Sequence, residues 1–180
     1  DLIDYTIKKG KSVIVLIPEI ALTYQTVMRF TRRFKEKVSI INSRLSSGER
    51  YDQFERAKNG DVTIMIGPRS ALFTPFSNLG LIVIDEEHES AYKSESVPKY
   101  HAIEVAQKRA YDTGATVVLG SATPSLESYY KAKNGTYILH KLTTREKGNL
   151  PSVSVVDLRE ELQQGNKSIF SNKLQTLIND

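Results

Sequence analysis

The 180-residue sequence contains no cysteine and has no long apolar run. Without cysteine, neither a disulfide framework nor a cysteine-ligated zinc site can form within these residues, which suits a cytosolic protein. No stretch approaches the roughly 18 apolar residues that a membrane-spanning helix needs, so we expect none here. The first residues, Asp1 to Asp4, lack the basic stretch and apolar run of a secretory signal, and there is no initiator methionine. These absences are compatible with a cytoplasmic protein without proving one, and the chain is expected to be either processed or a piece of a longer protein.

Charge is unevenly distributed along the chain, whose formal net charge is +4 and whose pI is near 9.2. Cations crowd one early segment, which contains Arg29, Arg32, Arg33, Lys35 and Lys37. Acids form a later cluster of Asp85, Glu86, Glu87 and Glu89. The basic excess is compatible with a polyanionic partner without being diagnostic of one, and the two clusters suggest two electrostatically different sites.

Apolar, β-branched runs alternate with polar helical stretches from end to end. The runs are Ser12–Ile17, Val38–Asn42, Val62–Ile66, Leu81–Ile84, Thr116–Leu119 and Val153–Val156, and their composition is typical of strands covered on both faces. Helices are predicted over Leu22–Phe34, from the capping-box pattern Ser46-Ser47-Gly48-Glu49 onward, over Tyr100–Asp112, from Thr123-Pro124 to Asn134-Gly135, and over Ser168–Asp180. An exposed loop is predicted over Arg145–Pro151. This alternation predicts an α/β fold with a mostly parallel, doubly wound sheet and helices on both faces.

The sharpest motif is Asp85-Glu86-Glu87-His88, which directly follows the apolar run Leu81–Ile84. Ligands of an open α/β sheet bind at the carboxyl ends of its strands, which is where these acids are expected. A first carboxylate, Asp85, can hold Mg²⁺ there, usually through water, and a second, Glu86, can orient the water that attacks a nucleotide γ-phosphate. The alternative is that the acids form only a solvated loop, as charge runs usually do.

A second motif, Gly120-Ser121-Ala122-Thr123-Pro124, follows the run Thr116–Leu119. Its small residues let the backbone come close to the acidic strand end, and Thr123 can cap the following helix. Taken alone, this is a well-capped strand-to-helix turn. The acidic motif followed by Ser-Ala-Thr, however, resembles the pattern of superfamily 2 helicase motors, whose lobes are RecA-like and of the P-loop NTPase type.

Four blocks narrow this resemblance. Leu16–Thr23, Gly67–Phe73, Asp85–Lys93 and Gly120–Ser128 resemble, in order and spacing, consecutive blocks of the PriA family of primosomal replication-restart DNA helicases. The resemblance implies an enzyme that uses ATP and Mg²⁺ to move 3′ to 5′ along DNA and that reloads the replication machinery at stalled forks. It also implies forked and single-stranded DNA, primosome proteins and single-strand-binding proteins as partners, no membrane, and a cytoplasmic, nucleoid-associated location.

The resemblance further implies roles for individual residues. Asp85 would organise Mg²⁺ through water, Glu86 would orient the attacking water, Glu87 and His88 complete the acidic motif, and Ser121, Ala122 and Thr123 would link nucleotide state to strand movement. The implied DNA contacts are Pro18, Thr23, Arg69, Ser70, Tyr92 and Lys93. Hydroxyls and a cation can bind phosphates without reading bases. The aromatic-rich segment that contains Tyr92 could stack on bases, and the alternative is that its tyrosines are packing residues.

The sequence departs from the family pattern at several points. Asn42-Ser43 stands where the family often has His-Ser, Pro68 stands where Thr or Ala is commoner, and no Gly-x-x-x-x-Gly-Lys-Ser/Thr phosphate loop occurs in these residues. The second lobe, the arginine finger and the zinc-binding insertion of the family also lie outside this chain. We expect residues 1–150 to form the first motor lobe without its phosphate loop, residues 151–180 to lead towards the second lobe, and the isolated chain to be inactive.

Two alternatives stay open. Another superfamily 2 DNA translocase, such as a branch-migration helicase or a restriction-type motor, would share the acidic motif and Ser-Ala-Thr, although the Gly67–Phe73 block and the Glu89–Lys93 extension argue against it. The alternative from a different functional class is a DNA- or partner-binding module without catalysis. Such a module would not hydrolyse ATP on forked DNA.

Overall fold

The computed structural model describes residues 1–143 and 152–179. The chain forms two compact units, Asp1–Leu139 and His140–Asp180. The described residues contain no helix that is both long enough and apolar enough to cross a membrane. The loop predicted over Arg145–Pro151 lies outside the described residues.

The first unit is built on a five-stranded sheet in which every pair of neighbouring strands is parallel. The strands are β1 (Ser12–Leu16), β2 (Val38–Ile40), β3 (Ile64–Gly67), β4 (Leu79–Ile84) and β5 (Thr116–Leu119), and their order in the sheet is β2-β3-β1-β4-β5. From the central β1 the chain winds to one edge, returns beside β1 as β3, and then continues to the other edge. This topology confirms the predicted doubly wound α/β fold.

Five α-helices of the first unit connect or flank these strands. They are α1 (Leu2–Lys8), α2 (Tyr24–Phe34), α3 (Ser47–Asn59), α4 (Ala102–Thr113) and α5 (Leu126–Lys133). Short 3-10 helices occupy Glu19–Ala21, Lys35–Lys37, Arg69–Phe73 and Ser90–Tyr92, most of them just after strands. The described part of the second unit contains α6 (Leu158–Gln163) and α7 (Asn172–Asn179).

The side chains of β1 show how the sheet is covered on both faces. Ile14 and Leu16 belong to a buried cluster that includes side chains of α3 and α4. Val13 and Val15 belong to a cluster on the opposite face, against which side chains of α1 and α2 pack. All four residues are at most 3% exposed, and burying an apolar side chain of this size stabilises a fold by about 1.5–3 kcal/mol. The central strand is therefore fixed from both sides.

Local signals set the helix ends that the sequence predicts. Ser46 Oγ accepts a hydrogen bond from the Glu49 N–H (3.2 Å), and the Glu49 carboxylate accepts one from the Ser46 N–H (2.8 Å), so the predicted capping box is present. Helix α3 ends at Gly60 with φ 84°, and α4 ends at Gly114 with φ 66°. Both glycines adopt the left-handed conformation that closes a helix at low steric cost.

Two predictions near the end of the chain are corrected, one on a strand and one on the start of a helix. Val153–Val156 is not a strand, because residues 152–157 have no regular secondary structure and the described part of the second unit offers no strand with which they could pair. Val153 and Val155 are accordingly 86% and 96% exposed. The last helix begins at Asn172 rather than at Ser168. The residue before it, Ser171, accepts a hydrogen bond at its Oγ from the Leu174 N–H (3.1 Å).

The start of α5 also differs from its prediction. Ser125 is the cap, since its hydroxyl accepts from the Ser128 N–H (3.3 Å), and the first helical residue is Leu126. Thr123 is therefore not the helix cap, and Pro124 does not occupy the first helical position.

Candidate functional site

The acidic motif emerges where β4 ends, at the carboxyl edge of the sheet. The N–H of Asp85 donates to the carbonyl of Leu16 on β1 (2.9 Å), so the backbone of Asp85 is still held by the sheet. Asp85 is exposed, and its Oδ1 accepts from the N–H of Glu86 (3.1 Å). Glu86 has φ 47°, a left-handed backbone conformation that costs a non-glycine residue roughly 1–3 kcal/mol and is frequent at functional sites. The chain thus turns sharply just after the strand and leaves both carboxylates at its end.

An exposed carboxylate at a strand end is compatible with Mg²⁺ and a nucleotide. Mg²⁺ keeps several waters and is usually held by one or two carboxylates together with substrate phosphates, rather than by a cage of protein ligands. Asp85 supplies such a carboxylate, so the residues present fit a water-bridged ion. The chemistry that the ion supplies when bound is neutralisation of phosphate charge.

The acidic motif and the Ser-Ala-Thr motif meet at one pair of side chains. Ser121 Oγ lies 2.7 Å from His88 Nδ1, and it also accepts a hydrogen bond from the Thr123 N–H (3.0 Å). His88 Nδ1 is in turn 3.7 Å from the carboxylate of Glu86. A row of contacts therefore leads from Glu86 through His88 to Ser121. Ala122 and Thr123 are exposed beside it.

Glu87 differs from the rest of the motif because it is buried, with 3% of its surface exposed. Its carboxylate accepts hydrogen bonds from the Ser125 N–H (2.6 Å), the Ser125 hydroxyl (3.1 Å) and the Ser128 hydroxyl (2.8 Å). Among the described residues, it is the one charged side chain that is buried. The sequence prediction gave Glu87 no role of its own. The only sequence feature that could have indicated its partners is the spacing of Ser125 and Ser128 at the start of α5.

Tyr92 has a structural position that corrects its predicted contact with bases. It is 1% exposed, and its hydroxyl donates to the carbonyls of Asp85 (2.6 Å) and Leu16 (3.1 Å). Burial, reinforced by the carboxylates of Asp85, Glu89 and Glu86, raises the pKa of Tyr92 well above its ordinary value, so the phenol keeps its proton and stays a donor. A ring buried in this way is not available to stack on a base.

Arg69 holds the segment that contains Tyr92. Its guanidinium donates to the carbonyl of Ala91 (2.8 Å) and to that of Lys93 (3.2 Å). Both bonds use the same nitrogen, Nη1, and a guanidinium carries five N–H groups in all. Arg69 is therefore oriented by the protein and retains N–H groups that can bind an anion. Lys93, whose carbonyl accepts one of these bonds, is itself exposed.

Four predicted DNA contacts, Pro18, Arg69, Ser70 and the buried Tyr92, share a cavity of about 280 Å³. It is also lined by Glu19, Asn42, Ser43, Arg50, Pro68 and Ala91. Thr23 does not line it. Its hydroxyl instead caps α2 by accepting from the Thr26 N–H (3.3 Å). Asn42 and Pro68, where the sequence departs from the family pattern, both lie in the wall of this cavity.

The charges in the cavity wall were only partly predictable. The Glu19 carboxylate accepts from the Ser43 N–H (2.8 Å), and the hydrogen bonds from Ser43, with the nearby Arg44 and Arg50, hold the pKa of Glu19 below its usual value. Arg50 was not predicted, since it lies inside α3 with no motif of its own. Its Nε is buried and has no partner among the described residues. Two arginines, Arg50 and Arg69, and one carboxylate, that of Glu19, thus line the same cavity.

Comparison with known proteins gives the family. The model of the DEAD/DEAH box helicase family matches residues 2–132. The chain is 53% identical over 173 residues to the replication restart protein PriA of Bacillus subtilis (strain 168), which is 96% of this chain and 22% of that protein. It is 49% identical over 179 residues to that of Synechocystis, and 44% identical over 166 residues to that of Haemophilus influenzae.

Those two matches cover 96% and 91% of this chain but only 21% and 23% of the relatives. The chain therefore spans about a fifth of the length of the curated relatives it matches. The identities confirm the resemblance to the PriA family, and the family match agrees with the parallel α/β sheet expected of a RecA-like helicase lobe. Because the family model matches most of its residues, this chain belongs to the DEAD/DEAH box helicase family.

Proposed function

We propose that this chain is the first motor lobe of an ATP-dependent DNA helicase that moves 3′ to 5′ and restarts stalled replication forks by primosome assembly. The observation that carries the proposal is the pair of carboxylates, Asp85 and Glu86, at the carboxyl end of β4, of which Glu86 is in side-chain contact with the Ser-Ala-Thr turn through His88. An acid pair at this position is what nucleotide hydrolysis requires. The contact from Glu86 through His88 to the turn after β5 would carry nucleotide state to a second element of the lobe.

Hydrolysis in the proposed enzyme divides between the two acids. Asp85 would hold a water-bridged Mg²⁺, and Glu86 would orient the water that attacks the γ-phosphate. The Asp85 backbone is hydrogen-bonded to β1 and to the hydroxyl of Tyr92, which supports a fixed position for the metal-binding carboxylate. The left-handed turn at Glu86 directs the chain away from the sheet immediately after these acids.

DNA binding in the proposed enzyme belongs to the cavity lined by Pro18, Arg69 and Ser70. A hydroxyl, backbone amides and guanidinium groups can bind phosphates regardless of base sequence, as a translocating motor needs. Arg50 adds a second guanidinium to the same cavity, which supports an anionic ligand there. Lys93 would contact the phosphate backbone of the DNA strand where that strand leaves the cavity.

The finer attributes of the enzyme follow from the family resemblance. We infer ATP and Mg²⁺ as its ligands, forked and single-stranded DNA as its substrate, and primosome and single-strand-binding proteins as its partners. Its location would be cytoplasmic and nucleoid-associated, and the zinc of the family would be bound outside this chain. Residues 151–180 would lead from the first lobe towards the second.

The test is an assay of the full-length protein that contains this chain, on forked DNA with ATP and Mg²⁺. The proposal expects DNA-stimulated hydrolysis together with strand separation, and faster unwinding of a duplex with a 3′ single-stranded tail than of one with a 5′ tail. Hydrolysis without strand separation would indicate a different translocase. DNA binding without hydrolysis would indicate a binding module and would overturn the proposal.

A further inference from the structure

One residue, Glu87, holds both ends of the turn that carries Ser121. At the first end, the Glu87 N–H donates to the carbonyl of Gly120 (3.0 Å). At the second end, its carboxylate accepts from the Ser125 N–H (2.6 Å), the Ser125 hydroxyl (3.1 Å) and the Ser128 hydroxyl (2.8 Å). Between these two anchors lie residues 121–124, which include every member of the Ser-Ala-Thr motif.

The Glu87 carboxylate and the groups that contact it are complementary in hydrogen bonding. An ionised carboxylate only accepts hydrogen bonds, and the three groups that reach it all donate. Hydrogen bonds to a charged acceptor are roughly twice as strong as neutral ones, and a carboxylate at the start of a helix is also favoured by the helix dipole. Glu87 is 3% exposed, and these donors explain how its charge is tolerated in a buried position.

We propose that Glu87 is a positioning residue of the motor, which fixes Ser121 opposite His88 by closing the turn between Gly120 and Ser125. The inference rests on the proposed function, because the contact of Ser121 with His88 is there assigned to coupling. A short segment pinned at both ends has few conformations, so the Ser121 hydroxyl stays within hydrogen-bonding distance of His88. Without the carboxylate, the start of α5 loses the anchor that ties it to the end of β4, and the turn can take other conformations.

The proposed role depends on the length and hydrogen-bonding geometry of the Glu87 side chain rather than on its charge. Substitutions separate the effect of geometry from the effect of charge. In Glu87→Gln the amide oxygen can still accept from the Ser125 N–H, while the NH₂ group can donate to the two serine hydroxyls, which rotate to accept. Glu87→Ala removes every side-chain bond. Glu86→Gln is expected to abolish hydrolysis, so adjacent residues of one motif should respond to the same substitution in opposite ways.

The experiment measures base pairs opened per ATP hydrolysed by the full-length protein on forked DNA. Glu87→Ala should lower this ratio by about tenfold, the usual scale for losing a residue that orients a functional group without touching the substrate. Glu87→Gln should stay within about threefold of wild type, and Ser128→Ala, which loses one bond, should fall between them. Glu127→Ala is the matched control, because it removes an exposed carboxylate from the same helical turn and should leave the ratio unchanged.

Amide hydrogen exchange of residues 121–128, measured on the same samples, gives a readout independent of motor activity. Faster exchange in Glu87→Ala than in Glu87→Gln is expected. The proposal is overturned if hydrolysis and unwinding fall in proportion in Glu87→Ala, if its coupling ratio does not change, or if Glu87→Gln is as defective. Should Glu87→Ala not fold, an unchanged ratio in Ser128→Ala overturns it. Failure of the proposed function is distinct, since wild-type protein would then neither hydrolyse ATP nor unwind DNA.

Discussion

The hydroxyl of Ser121 and Nδ1 of His88 are 2.7 Å apart although 33 positions separate the two residues in the sequence. Ser121 follows β5 and His88 follows β4, and these strands are neighbours in the sheet. The contact therefore depends on how the two strand ends lie relative to each other. Glu86, whose carboxylate is 3.7 Å from His88 Nδ1, is thereby linked by side-chain contacts to the turn after β5.

Glu86→Gln in the full-length protein should abolish most ATP hydrolysis while leaving ATP binding largely in place. The amide keeps the shape of the side chain but cannot orient water as a carboxylate does, and loss of such a group costs about a hundredfold or more in rate. Asp85→Asn should weaken Mg²⁺-dependent ATP binding as well. Steady-state hydrolysis and equilibrium binding of labelled ATP check both. Glu104→Gln, an exposed carboxylate on α4, serves as the control, and near-normal turnover by Glu86→Gln would contradict the catalytic assignment.

Ser121→Ala should retain DNA-stimulated ATP hydrolysis better than it retains strand separation. The substitution removes the hydroxyl that meets His88 and that accepts from the Thr123 N–H (3.0 Å), but it leaves both carboxylates untouched. Thr123→Ala should have a smaller effect, because Ser125 rather than Thr123 caps α5. Parallel assays of hydrolysis and unwinding distinguish the two activities. Equal losses in both assays of Ser121→Ala would remove the argument for coupling.

The sequence was sufficient to predict the architecture and the acidic edge, because both depend on local pattern. Five apolar runs became the five strands, and the acids after Ile84 emerged at the carboxyl edge, as parallel strands require. Val153–Val156 has the same composition and still is not a strand. Strand formation needs a partner, and composition does not reveal whether one is present.

Side-chain roles at the site depended on distant contacts and were less predictable. Tyr92 was expected among DNA contacts, yet its hydroxyl is used by carbonyls on β1 and at the end of β4. Thr123 suited a helix cap by position, but Ser125 takes that role because its N–H and hydroxyl are already held by Glu87. In both cases a buried hydrogen bond between segments far apart in the chain decided the outcome.

Arg69→Ala should weaken binding of single-stranded DNA about equally across sequences and flatten its salt dependence. Loss of one phosphate contact should reduce the slope of log affinity against log salt by about 0.7 for a single strand. Fluorescence anisotropy at several salt concentrations, with two oligonucleotides of different sequence, measures both effects. Arg32→Ala removes an exposed guanidinium of α2 that does not line the cavity and is the matched control. An unchanged slope for Arg69→Ala would mean that Arg69 only orients the segment around Tyr92.

Tyr92→Phe should lower the free energy of unfolding by about 1–2 kcal/mol, because a buried hydroxyl that donates to two carbonyls is lost. Since the folded state raises the pKa of Tyr92 above the ordinary value of 10.0, it binds the phenolic proton more tightly than the unfolded state does. The stabilisation is therefore fully present below pH 10 and is lost as the pH rises further. Thermal unfolding of wild type and Tyr92→Phe at neutral and alkaline pH checks both expectations, and a difference that grew above pH 10 would contradict them.

The isolated chain should fold but should neither bind ATP tightly nor hydrolyse it. Folding is expected from a parallel sheet whose central strand has four residues at most 3% exposed. The edge strand β5, however, has no fully buried residue, so self-association is a risk. Nucleotide phosphates are bound by the amides and the lysine of a phosphate loop, and no such motif occurs in these residues. Asp85 and Glu86 would then present negative charge to a tetra-anion with only Mg²⁺ to offset it. Calorimetry with ATP and Mg²⁺, together with a phosphate-release assay on single-stranded DNA, tests both activities against the full-length protein. Binding at about micromolar affinity, worth about 8 kcal/mol, or steady turnover would show that the nucleotide site lies elsewhere than at the acids after β4.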